Sequence, residues 1–146
     1  MKFILIIIIF TLSYLPASTK ENDFFEEAKK LYDKGKFEES KFLFQRNIVH
    51  NPKHAKSYLY LAKIFKKEED DSEEEKNINT ALLLEPRNED AMYLLIEIEI
   101  DRSNFSKAEE LKNDFKKICF SLCDKIPLID SRLKEFEKKR CVLRIV

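Results

Sequence analysis

Glycine occurs once in this chain, tryptophan not at all, histidine twice and proline four times. With one glycine, few positions can take a positive φ without strain, so a fold built from tight β-hairpins is excluded. Phosphate-cradling loops are excluded on the same ground, because they need several closely spaced glycines. The two histidines, His50 and His54, flank Pro52, and neither belongs to a recognisable nucleophile motif. A catalytic set of nucleophile, base and orienting group therefore has no members to draw on, and no enzyme, metal site or cofactor is expected. An excess of charge is missing too. The 27 basic and 27 acidic residues cancel, leaving no field to attract nucleic acid.

What the chain does have is charge of both signs and apolar residues at helical spacing. Charged residues make up 37% and apolar residues 44% of 146 positions. That balance suits one small all-α domain with a buried core. The N-terminus stands apart. Residues 1–19 read MKFILIIIIFTLSYLPAST: Lys2, an apolar run from Phe3 to Leu15, then Pro16 and the small residues Ala17, Ser18 and Thr19. This is the three-part order of a secretory signal peptide. A spanning helix needs about 20 apolar residues, so the run is short for a permanent anchor. Cleavage is expected near the Leu15/Ala17 or Ala17/Thr19 pair, and no cysteine follows the run to take a lipid. The alternative is an uncleaved anchor, with residues 3–15 as the only membrane contact. Residues 20–146 hold 26 basic and 27 acidic groups, a net charge of −1.

From Asn22 the chain repeats itself. The interval from Pro52 to Pro86 recurs, doubled, between Phe37 and Phe105 and between Ser40 and Ala108, which sets a period of about 34 residues. The clearest unit runs from Leu31 to Pro52: a helix end, a turn at Gly35, a second amphipathic helix and a proline stop. At matching offsets the first copy holds Phe24, Ala28, Leu31, Gly35, Phe37, Ser40, Phe44 and Pro52. The second holds Tyr58, Leu61, Ala62, Phe65, Ile78, Ala81 and Pro86, and the third Met92, Leu95, Ile96, Phe105, Ala108 and Phe115. Helix pairs at a fixed period of this length stack into a solenoid.

On these residues the chain resembles the tetratricopeptide repeat family over roughly residues 22–120. The resemblance implies an α-solenoid of about three helix-turn-helix repeats, near 20–53, 54–87 and 88–120. Some positions depart from the family's pattern. Glu27 stands where leucine is usual and Glu74 where a small residue packs between helices. Glu99 and Lys112 take aromatic positions, and Phe120 takes the expected proline.

Several segments need separate reading. EEDDSEEE at residues 68–75 lacks the spaced oxygen ligands and glycine of a calcium loop, and reads as a solvated turn and helix start. Ile96, Ile98 and Ile100 alternate with Glu97 and Glu99 as a strand would, but the repeat register predicts helix. Phe105, Ala108, Leu111, Phe115, Ile118 and Leu122 trace one stripe, which predicts a last helix overrunning the repeat. Within residues 121–140, Ile126, Ile129, Leu133 and Phe136 share a face opposite Lys134, Glu137, Lys138 and Lys139. That segment is expected to cap the open end of the stack, followed by a tail at 141–146.

Cys119 and Cys123 would stand one turn apart on an intact helix, with Cβ atoms about 5–6 Å apart, too far for a bridge that wants about 3.8 Å. They are expected as small buried apolar residues, with a thiol or metal role as the alternative. Cys141 leaves intermolecular pairing, and so self-association, open.

The resemblance also implies a binding surface. In tetratricopeptide domains the first helix of each pair lines a concave groove and the second forms the outer wall. Carried over by offset, the groove presents Phe25, Lys29 and Tyr32, then Lys56, Leu59, Tyr60, Lys63 and Lys66, then Tyr93, Glu97 and Ile100. Aromatics interleaved with lysines suit an extended or helical peptide bearing acidic groups; the outer face is the competing surface. Family members that hold a chaperone's C-terminal carboxylate use a clamp whose positions here are Phe25, Lys29, Tyr60, Asp90 and Leu94. Only Lys29 could contribute, so a chaperone-tail receptor is not expected. The expected role is an exported, non-catalytic interaction or scaffold module. In a bacterium that means the periplasm or the envelope, with a membrane-tethered assembly subunit as the runner-up.

Overall fold

The structure, a computed structural model, describes residues 24–143, with side chains described through Glu135. The expected signal segment, residues 144–146 and the side chains of Phe136 and Cys141 lie outside the described residues.

Among the described residues there are seven α-helices and no strand. They are α1 (Phe24–Asp33), α2 (Phe37–His50), α3 (Ala55–Lys67), α4 (Asp71–Leu84), α5 (Glu89–Asp101), α6 (Phe105–Ile118) and α7 (Ile126–Leu143), with a single 3-10 turn at Cys123–Lys125. Each helix packs chiefly on its neighbour in sequence, giving the pairs α1/α2, α3/α4 and α5/α6 in a stack, and α7 packs on α5 and α6. α7 runs past residue 140, into the segment expected as tail.

The repeat is written in the turns as well as in the side chains. Gly35, Glu69 and Ser103 stand at the same place in successive repeats, one period apart, and have φ of +74°, +58° and +62°. After each, an N–H reaches back across the turn: Lys36 to the Leu31 carbonyl, Asp70 to Phe65 and Asn104 to Glu99, at 3.0, 3.0 and 2.8 Å. This is the left-handed C-terminal cap that closes a helix by satisfying its last carbonyls. Two of the helices start on side-chain caps. The Asp70 carboxylate accepts from the Glu73 N–H at 3.1 Å, and the Asn88 carbonyl oxygen accepts from the Ala91 N–H at 3.0 Å.

The small-residue offset shows how closely the pairs approach. Ser40 is fully buried on α2 and donates to the Ala28 carbonyl across the pair at 2.8 Å. Ala108 is fully buried in the third pair, and in the second the offset is filled by Glu74, only 4% exposed. Residues 68–75 do form the expected turn and helix start, but Glu74 is no part of a solvated face.

The core has two parts. Phe25, Ala28, Phe44, Leu61 and Ile64 pack in the first, and residues from Leu59 through α4, α5 and α6 to Ile129 and Leu133 of α7 form the second. α5 is helical, as the register predicts. Its isoleucines alternate because the helix lies between α4, α6 and α7: Ile96 and Ile100, one turn apart, share a side, Ile98 faces the opposite one, and all three are buried. Fully burying a side chain of this size contributes about 1.5–3 kcal/mol.

Two expectations fail at the end of the stack. α6 stops at Ile118 rather than running on to Leu122, because Cys119 takes an extended conformation with ψ 140°. Glu89 of α5 then collects the chain: its Oε2 accepts from the Ser121 N–H at 3.0 Å, the Ser121 hydroxyl at 3.2 Å and the Leu122 N–H at 2.8 Å. With the helix ended, Cys119 and Cys123 are free to approach, and they form a disulfide with Cα atoms 5.3 Å apart. They are not buried thiols; Cys123 is exposed.

Candidate functional site: the surface of the first helices

Helices from all three repeats meet around one cavity of about 350 Å³. α1 contributes Phe25, Glu26 and Lys29, α3 contributes Lys56, Leu59, Tyr60 and Lys63, and the start of α5 adds Asp90, with Asn88 just before it. Offsets that put these side chains on one face of each helix therefore bring them together in space. The walls are built on aromatic packing. The Tyr60 ring stacks on buried Phe44 at 5.1 Å and meets the edges of Tyr32 at 5.1 Å and Phe25 at 5.8 Å. Phe25 also packs on His54 at 4.5 Å. Burial pushes the hydroxyls of Tyr32 and Tyr60 above the usual phenol range, so both stay neutral donors.

Lys29 and Lys63 at this surface are already paired. Lys29 Nζ is 3.1 Å from Asp33, and Lys63 Nζ is 3.0 Å from Asp90. Lys63 also lies 5.4 Å from the centre of the Tyr60 ring, a cation–π contact that holds the ammonium over the cavity wall. Lys56 is exposed at the rim.

Further along, Glu97 is a junction. Its Oε2 accepts from Lys66 Nζ at 3.0 Å, and its Oε1 accepts from the Tyr93 hydroxyl at 2.8 Å and from Arg132 Nη1 at 3.3 Å. Arg132 also pairs with Asp101. Burial and the bond to Glu97 push the Tyr93 hydroxyl up to about 12. Lys66, Tyr93 and Glu97 are thus joined across two repeats and tied to α7.

Among the expected groove residues, Phe25 and Leu59 line the cavity while belonging to the core, and Ile100 is core alone. Phe25 is 9% exposed, Leu59 5% and Ile100 not at all. An offset names the side of a helix and not the depth, and Ile100 lies where α5 is covered. Glu26, Asn88, Asp90 and Arg132 belong to this surface but are absent from the groove that the offsets name. Asp90 lies one period after Lys56, so the register could have placed it, but Arg132 stands outside the repeats and nothing in the periodicity points to it.

The arrangement defines the class of this chain: a three-repeat tetratricopeptide fold with an added C-terminal helix. Solved structures agree. The chain is similar to the TPR2B domain of yeast Sti1 in complex with pHsp70, with a TM-score of 0.71 at 17% identity over 81% of this chain and 98% of that one. It is similar to the Yersinia enterocolitica type III secretion translocator chaperone SycD, with a TM-score of 0.70 at 15% identity over 90% and 92%. The first TPR of Spaghetti (RPAP3) bound to the HSP90 peptide SRMEEVD gives 0.62 at 14% identity over 76% and 90%. No family model and no curated protein matches the sequence. At such identities the likeness is one of fold.

Proposed function

We propose that this chain is a non-catalytic protein-interaction module that takes a peptide or protein segment at the surface of α1, α3 and α5. The observation that carries the reading is the shared cavity, whose lining takes Phe25 and Lys29 from the first repeat, Tyr60 and two lysines from the second, and Asp90 from the third. Tyrosines held by ring packing offer a large contact area at little conformational entropy. The Sti1 and RPAP3 domains are complexes with Hsp70 and HSP90 ligands, and SycD is also seen with a peptide of the translocator YopD. Those neighbours support a segment-binding role for the same fold here.

The chemistry of the lining shapes the ligand. Of the positions matching a carboxylate clamp, Lys29 alone is cationic, and Asp33 already holds it. Asp90 repels a terminal carboxylate. The segment taken is therefore an internal one. Because Lys29, Lys63 and Lys66 pair with Asp33, Asp90 and Glu97, a segment carrying both signs of charge can exchange these pairs without leaving any charge unmet.

The reading includes export. Residues 1–19 have the order of a signal peptide, and a disulfide between Cys119 and Cys123 suits an oxidising compartment such as the periplasm. A photo-crosslinking residue at Lys56, in the cavity lining, is expected to capture one discrete partner in the producing cell, weakened by Lys63→Glu. Capture from Phe42, exposed on α2, with none from Lys56 overturns the site. N-terminal sequencing of the mature chain is expected to begin past residue 15; a start at Met1 overturns cleavage and leaves the membrane-tethered reading.

A further inference from the structure

A second cavity, of about 220 Å³, opens between the turn joining α3 to α4 and the C-terminal end of α5. Glu69, Asp71, Glu74 and Asp101 supply its acids and Ile98 an apolar wall, with Lys66 and Arg102 alongside. Glu74 is the anomaly. It is 4% exposed, and its Oε1 is buried with no hydrogen-bond partner among the described residues. A carboxylate taken out of water unpaired is strongly disfavoured, so each such group calls for an explanation.

Local structure does not supply one. The positive end of α4 favours acids in its first turn, but Glu73, in that same turn, is served while remaining accessible to Lys76. The repeat itself asks for something smaller, since the equivalent residues Ser40 and Ala108 are fully buried.

The charges around the cavity are unbalanced. Lys66 is bonded to Glu97 and Arg102 to Glu75, while Asp101 is held by Arg132. Lys66 attracts Glu74 without bonding it, and burial still leaves the Glu74 carboxyl raised above the usual range. Among the described residues, Glu69, Asp71 and Glu74 are left without an ion pair of their own.

We propose that this cavity is a binding site for the guanidinium group of an arginine on a partner protein, with Glu74 as its buried anchor. The form of the group follows from the lining. No cluster of His, Cys, Asp or Glu among the described residues is spaced to hold a metal ion, so the acids surround a space rather than converge on a point. A planar guanidinium presents five donors in a rigid fork and can meet more than one carboxylate at once, whereas an ammonium is a compact, strongly hydrated charge. The Ile98 wall suits the apolar stem of an arginine side chain. The site shares no lining residue with the cavity around Tyr60 and meets that surface only through Lys66.

The test uses the isotope-labelled full chain and N-acetyl-arginine amide as the probe, followed by amide chemical shifts. Saturable shifts are expected at residues 69–74 and 98–102, with a midpoint on the order of 1 mM for a ligand of this size. N-acetyl-citrulline amide, close in shape and uncharged, is expected to give none. Glu74→Gln is expected to weaken the midpoint at least tenfold, and Glu74→Ala, which restores the small residue of the other repeats, to abolish it in a folded chain. Equal response to citrulline, an unchanged midpoint in Glu74→Gln, saturation by calcium chloride in place of arginine, or no shift at all would each overturn the proposal.

Discussion

Lys112 Nζ stands 2.7 Å from Asp130 Oδ1, joining the last repeat to the helix that covers it. The lysine side chain is 7% exposed and also reaches Glu109 at 2.7 Å. Repeat register asks for an aromatic at this offset, and the ammonium there is met by Glu109 of its own helix and by Asp130, which α7 brings to it. The pair therefore selects where α7 docks. Asp130→Asn is expected to lower stability by about 1–2 kcal/mol, less than a fully buried pair because Asp130 is 36% exposed and Glu109 remains. Changing both residues to leucine is expected to recover most of that loss, since no charge then needs desolvating. Urea midpoints at constant slope measure both; a double variant no more stable than the single one would refute the docking role.

Acid is expected to release the C-terminal cap before the repeats. The Lys112 ammonium holds the Asp130 carboxyl below its usual range. Backbone N–H groups of Phe120, Leu122 and Ser121 outweigh burial to do the same for Glu89. A carboxyl whose folded pKa is depressed contributes stability that is present above its unfolded value, about 3.9 for Asp and 4.3 for Glu. That contribution is lost as pH falls through the folded value. Both groups fasten residues 119–130 to α5 and α6. Hydrogen-exchange protection at residues 121–133 is expected to drop first below about pH 4, with α3 and α4 still protected. Simultaneous loss across all helices would contradict this.

The contact between Lys112 and Asp130 also marks how far the sequence could be read. Period and register were legible because Ser40, Ala108, Pro52 and Pro86 each mark a place where helices touch or stop, and such residues keep their spacing whatever else varies. Register also decided correctly against the strand-like alternation of Ile96, Ile98 and Ile100. Depth was not legible. Phe25 and Leu59 share an offset with half-buried Tyr93, and Ile100 shares one with exposed Lys66; only the three-dimensional stack shows which of them rings or a covering helix bury. The end of α6 was missed because Phe120 replaces the proline that would have announced it, and the disulfide was missed with it. Contacts such as Lys63 with Asp90 and Lys66 with Glu97 span 27 and 31 residues, and a pattern of single positions does not reveal which charges meet.

The positive-φ turns offer a test of the repeat as a physical unit. Gly35 occupies the left-handed conformation without penalty, whereas Glu69 and Ser103 occupy it with a Cβ. Glu69→Gly and Ser103→Gly are each expected to stabilise by about 0.5 kcal/mol, the relief of strain exceeding the added freedom of the unfolded chain. Gly35→Ala is expected to destabilise by about 1 kcal/mol. An added Cβ at Gly35 meets nothing within 4 Å, so the whole effect is conformational and Gly35→Asn should recover part of it. Thermal melts of these four variants check the signs; a gain from Gly35→Ala would refute the equivalence of the turns.

Reduction of the Cys119–Cys123 disulfide separates the cap from the stack in another way. The bond closes a short loop, for which the chain-entropy model gives about 2 kcal/mol. It lies in the turn between α6 and α7, next to the backbone that Glu89 holds, and not between repeats. Because Cys123 is exposed, a reductant reaches the bond without prior unfolding. Dithiothreitol is therefore expected to lower the melting temperature by several degrees and to remove protection from residues 119–129, while α1 to α5 keep theirs. Cys123→Ser should reproduce both effects and abolish sensitivity to the reductant. If reduction instead leaves residues 119–129 as protected as before, the turn is held by Glu89 and the Lys112–Asp130 pair alone, and the disulfide has no part in seating the final helix.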